Sequence, residues 1–235
     1  AYISQWESTD DFMKDIQYNS SKYHGPNSLN SRRYSWNRPS LDLLLNYNQS
    51  FGRHNLKGLA GYHIEKYNYD ELRAYRNDFP NNELTDMNAG TSSSQTNSGY
   101  TRELAMMSYF GRVNYDYAGR YLFEANFRAD ASSRFAPGNR WGYYPSFSAG
   151  WRISEESFME STRTWLQNLK LRASWGQLGN QDALSDYYPW LVTYAVGTNY
   201  PFGGQLESGV AQTSQKLSTI SWEKTTTWGI GLDVT

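Results

Sequence analysis

A strict alternation of apolar and polar residues between Tyr121 and Asp130 constrains the fold of this chain more than any other feature. One face of this stretch is apolar or aromatic throughout: Tyr121, Phe123, Ala125, Phe127 and Ala129. The other face is polar at every position but the first: Leu122, Glu124, Asn126, Arg128 and Asp130. A two-residue period predicts a β-strand with two different environments. Ten residues is also the length with which a tilted strand crosses a bilayer.

The same alternation recurs along the chain and predicts about eight strands in an all-β fold. They fall at 2–13 (the weakest), 43–48, 56–65, 108–117, 121–130, 143–153, 169–176 and 227–234. Short connections at 51–54 and 118–120 alternate with long ones at 68–103 and 178–220, and 155–167 is expected to form a short turn of helix on the short-turn side. Short turns on one rim and long loops on the other are typical of an antiparallel transmembrane β-barrel.

Composition agrees with such a barrel and excludes several other classes. The chain has 20 Tyr, 10 Phe and 9 Trp in 235 residues, no cysteine and a net charge of −1. Its mean hydropathy is only −0.78. Barrel strands alternate in polarity and therefore look polar on average, whereas Tyr and Trp suit the bilayer interface. The absence of cysteine excludes disulfides and thiolate metal sites, and the charge gives no reason to expect nucleic acid as a partner.

The search for catalytic and metal-binding motifs finds none. The chain has no nucleophile elbow, phosphate-binding glycine loop or zinc-protease motif. His24, His54 and His63 lack the spacing of metal ligands. We therefore expect no enzyme activity, no metal and no cofactor.

Several sequence blocks resemble the SusC/RagA family of TonB-dependent outer-membrane receptors. They begin with Ser108-Tyr109-Phe110-Gly111-Arg112-Val113-Asn114-Tyr115 and continue at 127–135, 141–146, 148–156, 168–176, 179–181 and 222–225. Two positions depart from the family pattern, since Ala131 replaces the usual Gly and Trp175 replaces the common Tyr. The blocks cover 108–181 almost continuously, whereas residues 1–100 match only loosely.

This resemblance implies that residues 1–235 are part of one large receptor barrel, of the kind that closes with 22 strands around a plug. The plug domain and the rest of the barrel are expected outside this chain, and the location is expected to be the outer membrane. The family's activity implies import of glycans or peptides, with a SusD-like lipoprotein as partner, TonB acting through the N-terminal part, and outer-membrane lipid around the barrel.

Two other functions remain open on the sequence alone. One is a small closed outer-membrane barrel of a structural or adhesin type, because eight strands can close with a filled interior. The other is a secreted carbohydrate-binding β-sandwich that stacks sugars on Trp and Tyr. A sandwich would bury its apolar faces against each other and have shorter loops.

The candidate functional residues fall into two groups. The polar strand faces are predicted to point into the barrel lumen, where their charged groups are hydrated or pair with the plug: Arg112, Arg128, Asp130 and Arg152. The loop at 178–220 is predicted to contact cargo or a partner through its aromatic side chains: Tyr187, Tyr188, Trp190, Tyr194 and Tyr200. The alternative for this second group is that the rings pack on one another within the loop.

Overall fold

A computed structural model describes residues 1–162, 164–182, 187–215 and 217–235. The long strands are β1 (Tyr2–Met13), β4 (Ser28–Phe51), β5 (His54–Asn77), β6 (Thr96–Tyr117), β7 (Tyr121–Ser132), β8 (Trp141–Arg152), β9 (Leu169–Asn180) and β14 (Glu223–Val234). The short strands are β2 (Ile16–Asn19), β3 (Lys22–His24), β10 (Tyr194–Val196), β11 (Tyr200–Phe202), β12 (Gln205–Glu207) and β13 (Val210–Gln212). Short 3₁₀ helices lie at Met87–Ala89, Ser92–Ser94, Ile153–Glu155 and Ser157–Thr162.

The eight long strands form a single sheet in the order β1-β4-β5-β6-β7-β8-β9-β14. Each long strand therefore neighbours the next long strand along the chain, and the pairing is antiparallel. The predicted all-β antiparallel class is confirmed. The sandwich alternative is wrong, because a sandwich needs two sheets of similar size, and the other sheets in the described residues have two strands each.

Two tight turns on the short-turn side set the register of the strands that they join. The β4–β5 turn has Gly52 at φ +61°, at the position where a two-residue hairpin of type II′ requires glycine. The β6–β7 turn places Ala118 and Gly119 at φ +54° and +71°, and the Asp116 carboxylate accepts a hydrogen bond from the Gly119 amide at 2.7 Å. The two turns touch through a hydrogen bond from the Ala118 amide to the Arg53 carbonyl, 2.7 Å long.

The strands are longer than predicted on the long-loop side. β5 continues to Asn77 and β6 begins at Thr96, so the connection predicted at 68–103 is reduced to 78–95. The prediction failed because both faces of these extensions carry polar groups. On β5, for example, Asn68 and Asp70 alternate with Tyr69 and Glu71, and hydrophobic alternation alone does not detect such a strand.

The chain divides into two compact units, of which the first contains Ala1–Ser40 and Lys66–Leu104. Its core lies where the 25–30 segment meets the connection after β5. The Asn27 side chain is buried, accepting a hydrogen bond from the Phe79 amide at 2.7 Å and donating one to the Phe79 carbonyl at 3.3 Å. Phe79 also packs edge-on against Phe12, with 5.2 Å between ring centroids. These contacts hold the long connection onto the strand ends.

The second unit contains Leu41–Glu65 and Ala105–Thr235, and large side chains on its polar face pack over glycines. The Phe110 ring, the one aromatic exception on the polar face of β6, occupies the space that a Cβ at Gly61 would need. The Tyr144 ring covers both Gly142 and Gly179 in the same way. Glycine at these positions therefore allows an aromatic ring to lie flat on the sheet.

Candidate functional site

The apolar face of the second unit carries a row of aromatic rings close to the short turns. His54 lies against Tyr117 with 4.8 Å between ring centroids, Tyr117 stacks on Tyr121 at 6.3 Å, and Tyr121 stacks on Trp151 at 6.4 Å. We call His54, Tyr117, Tyr121 and Trp151 the short-turn belt. It crosses four neighbouring strands at one level.

A second row lies toward the other end of the same face. Tyr109 contacts Tyr62 at 5.1 Å and Trp141 at 6.0 Å, and we call these three residues the long-loop belt. Tyr109 is paired with Ala129, eight residues from Tyr121 along β7, which is about 26 Å of strand or about 20 Å at a 40° tilt. Two aromatic girdles around an apolar band of this height are typical of a membrane-spanning barrel.

The opposite face contains an ion pair with a buried carboxylate near the end of β7. The Arg128 guanidinium donates through Nε to both carboxylate oxygens of Asp130, at 2.7 and 2.9 Å, and through Nη2 to the hydroxyl of Ser108 at 2.9 Å. The Asp130 side chain is only 9% exposed and Ser108 is fully buried. Arg128 also lies over the Phe110 ring, 5.4 Å from its centroid. Two of the predicted lumen residues, Arg128 and Asp130, therefore form hydrogen bonds and an ion pair with each other.

The other two predicted lumen residues are exposed to solvent. Arg112 donates to the Asn126 side chain at 2.7 Å on the same polar face. Arg152 lies at the end of β8, where its Nη1 is 3.4 Å from the Gly119 carbonyl, so it is at the short-turn rim. The structure thus brings together Arg128 and Asp130 only and places Arg152 away from them.

The polar face also lines an open cavity of about 940 Å³ that was not predicted from the sequence. Its charged and polar lining includes Lys57, Asn114, Glu124, Ser148, Lys170 and Arg172. None of the four predicted lumen residues lines it. The sequence shows Lys170 and Arg172 as polar positions of an alternating strand. Only the structure shows that they line the same cavity as Lys57 and Glu124.

The aromatic residues predicted for recognition separate into two groups. Residues 183–186 and 216 of the 178–220 segment lie outside the described residues. Tyr187, Tyr188 and Trp190 are half-buried near the 133–140 connection. The Trp190 indole donates to the Ser133 carbonyl at 3.4 Å, and Arg134 lies 5.3 Å from the centroid of the Tyr187 ring. Tyr187 and Trp190 therefore contact the connection between β7 and β8.

Tyr194 and Tyr200 lie instead on two small hairpins. β10 pairs with β13 and β11 pairs with β12, and the two tyrosines are 62% and 53% exposed. Several apolar side chains on the same hairpins are also exposed: Val196, Phe202, Leu206 and Val210. This apolar surface is exposed, whereas the first group is half-buried.

The first unit contains a buried carboxylate that the sequence did not single out. Glu71 accepts hydrogen bonds from Arg32 at 2.7 and 3.1 Å, from Arg73, and from the hydroxyls of Tyr69 and Tyr100. Burial alone would raise the pKa of Glu71, but the hydrogen bonds from Arg32, Tyr69 and Arg73 outweigh it and lower the pKa to about 2. The cluster joins β4, β5 and β6 within the first unit.

The described residues contain no group of three or more His, Cys, Asp or Glu side chains placed to hold a metal ion. Within the same part of the chain, no helix has the length and apolar character to cross a membrane.

Comparison with known proteins agrees with this two-faced sheet. The family described as "TonB dependent receptor-like, beta-barrel" matches residues 2–235. The chain belongs to the TonB-dependent receptor β-barrel family. Receptors of this family are outer-membrane transporters and not enzymes. The resemblance to SusC and RagA found in the sequence is confirmed.

Individual relatives agree with the family assignment. TonB-dependent receptor SusC of Bacteroides thetaiotaomicron is 33% identical over 222 residues, which are 88% of this chain and 21% of SusC. TonB-dependent receptor P3 of Formosa agariphila is 35% identical over 194 residues, which are 81% of this chain and 19% of P3. The solved structure of the RagAB peptide transporter superposes with a TM-score of 0.82 at 25% identity, over 99% of this chain and 25% of that one.

The chain therefore spans about a fifth of the curated receptors that it matches. Its eight long strands correspond to part of a receptor barrel, and the small closed barrel proposed as an alternative is not needed to explain them. The two aromatic belts on one face and the charged groups on the other follow the division between lipid and lumen in such barrels.

Proposed function

We propose that this chain forms part of the barrel of an outer-membrane importer of glycans or peptides. The observation that carries the proposal is the pairing of a belted apolar face with a polar face that holds Lys57, Lys170 and Arg172 around a cavity. Family membership and the likeness to SusC and to a peptide transporter support both substrate classes. A charged, wet interior suits passage of polar cargo across an apolar bilayer.

We propose further that residues 1–235 belong to one barrel domain, with a plug and the TonB-contacting segment elsewhere in the full-length receptor. In this arrangement Arg112, Arg128, Asp130 and Arg152 face the lumen or its rim. The Arg128–Asp130 pair supports the barrel wall, because each group already satisfies the other. Arg112 and Arg152 retain exposed guanidinium groups that can meet cargo or plug.

Recognition is assigned to the exposed hairpins of the long-loop rim. Tyr194 and Tyr200 have more than half of their surface exposed, beside exposed Val196 and Phe202. Aromatic anchors of this kind bury large areas with few frozen torsions, and a SusD-like lipoprotein or the cargo itself is the expected partner.

The experiment is an uptake assay in a receptor-deleted strain complemented with the full-length receptor. Fluorescent oligosaccharides and fluorescent peptides are supplied separately, with and without deletions of the genes for TonB and the SusD-like lipoprotein. We expect uptake of one cargo class that is lost without TonB and reduced without the lipoprotein. Unchanged uptake of both classes after removal of the receptor would refute the proposal.

Residue roles are tested in the same strain. Tyr194→Ala with Tyr200→Ala should reduce uptake while the receptor remains assembled in the outer membrane. Trp190→Phe is the matched control, because it keeps most of a half-buried ring that contacts the chain and leaves both exposed tyrosines unchanged. If the tyrosine variants import as well as the parent, recognition lies elsewhere.

A further inference from the structure

The connection between β8 and β9 exposes two large aromatic rings that belong to neither belt nor to the exposed hairpins. Phe158, in the 3₁₀ helix Ser157–Thr162, is 65% exposed, and Trp165 is 71% exposed. The neighbouring short turns at 52–53 and 118–120 carry no such rings. Exposed aromatic rings at this level of the sheet suit contact with a membrane interface, where one side is wet and the other apolar.

The beginning of this connection is fixed to the short-turn belt. Glu156 is 8% exposed and accepts hydrogen bonds from the Trp151 indole at 3.0 Å and from Arg120 at 3.2 Å. Hydrogen bonds from Tyr121 and then Trp151 lower the pKa of Glu156, so the carboxylate stays ionised and keeps these partners. Since Tyr121 and Trp151 belong to the belt, the connection starts at the level where the apolar band ends.

The end of the connection is also held to the sheet by hydrogen bonds. The Gln167 and Asn168 amides donate to the Thr235 carbonyl at 2.9 and 3.1 Å, so the chain rejoins the sheet beside the end of β14. The exposed rings of Phe158 and Trp165 therefore lie between two points held at the short-turn rim.

We propose that residues 153–162 and 164–168 form an anchor in the membrane interface, with Phe158 and Trp165 inserted among the phospholipids of the periplasmic leaflet. The occupant is lipid because the connection is continuous with the apolar face through Trp151 and Glu156. Trp and Phe rings are favoured at the boundary between headgroups and acyl chains, where one side is wet and the other apolar. The proposal goes beyond import and depends only on the barrel crossing the membrane.

The experiment measures tryptophan depth in the full-length receptor reconstituted into phosphatidylcholine vesicles. Emission of the Trp165→Phe variant is subtracted from that of the parent, which isolates Trp165. Lipids brominated near the headgroup end or deep in the acyl chain serve as quenchers, and iodide serves as the aqueous quencher. Phe158→Trp provides an independent probe by adding emission at the second position.

The matched control is Trp228→Phe, which isolates a ring on the apolar face of β14, paired with Trp175 inside the band. We expect loss of Trp165 emission with shallow bromines, a smaller loss with deep bromines and little loss with iodide. Trp228 should lose most emission with deep bromines.

Quenching of Trp165 by iodide and not by bromolipid would overturn the anchor, and so would protection from both, because a protein would then cover it. If Trp228 also escapes bromolipid, the apolar face is not in the bilayer at all. That outcome overturns the anchor through its premise, whereas the uptake assay tests import separately.

Discussion

Ala125 tests which face of the sheet meets lipid. It is paired with Val113 and Phe147 on the apolar face and lies four residues along β7 from Tyr121 and four from Ala129. Four residues span about 13 Å of strand, or about 10 Å of depth at a 40° tilt, so Ala125 is midway between the two belts. An arginine on the lipid face at that depth costs about 2–4 kcal/mol. Ala125→Arg should therefore lower the folding equilibrium constant by about 30- to 700-fold.

Asn126 provides the matched control one residue away. It lies on the polar face, where its amide donates to Glu124 at 2.8 Å and accepts from Arg112 at 2.7 Å. An arginine here gains the Glu124 carboxylate and lies close to one like charge, so Asn126→Arg should change stability by less than about 1 kcal/mol. Both variants are compared by urea unfolding of the full-length receptor in vesicles, with tryptophan emission as the signal. A larger loss for Asn126→Arg than for Ala125→Arg would invert the assignment of the faces.

Three further predictions, made with five variants, test the packing and charge arguments. The pKa of Glu71 in the folded state is about 2, below its usual 4.5. Its contribution to the free energy of unfolding is therefore complete above pH 4.5 and is lost as the pH falls toward 2. Glu71→Gln should lower the free energy of unfolding in urea by about 1–3 kcal/mol at pH 7, and the variant should lose less stability than the parent between pH 4.5 and 2. Gly179→Ala should lower the free energy of unfolding by about 1–3 kcal/mol, because its methyl group meets the buried Tyr144 ring. Gly58→Ala is the control: its Cβ would have its nearest neighbour at 3.7 Å, so the loss should be less than about 1 kcal/mol. Equal losses for the two variants would contradict the packing account. Arg128→Ala should destabilise the barrel by about 1–3 kcal/mol, because it leaves the buried Asp130 carboxylate unpaired. Arg112→Ala should change stability by no more than about 0.5 kcal/mol. Heat-induced gel-shift assays would show the difference between the two variants.

Alternation was sufficient to predict the central part of the fold. The stretch 121–130 is paired throughout with β6 on one side and β8 on the other, with the apolar and polar faces as expected. This succeeded because the apolar face of a barrel must be apolar at every second position to tolerate lipid. The extensions of β5 and β6 were missed for the same reason. Where both faces of a strand carry polar groups, the strand can contain a residue such as Glu71 as readily as a tyrosine.

The candidate site was less predictable because it depends on contacts between distant parts of the chain. Trp190 was grouped with Tyr194 by proximity in sequence, yet its indole bonds the carbonyl of Ser133, 57 residues away. The cavity lining likewise needs Lys57 and Arg172 on one face of the sheet, which only the strand order provides. The sequence identified aromatic and charged residues as candidates, but it did not show which of them lie close together in the fold.

The unequal strand lengths have a practical consequence for receptor engineering. β4 and β5 contain 24 residues each, whereas β7, β8 and β9 contain 12, and a crossing needs only about 9–11. The connection at 78–95 therefore starts and ends on hydrogen-bonded strands that are longer than a crossing requires. Such a connection is a suitable site for loop replacement. A foreign epitope or a loop from a related receptor can be grafted there, provided that Phe79 and its contacts with Asn27 are kept.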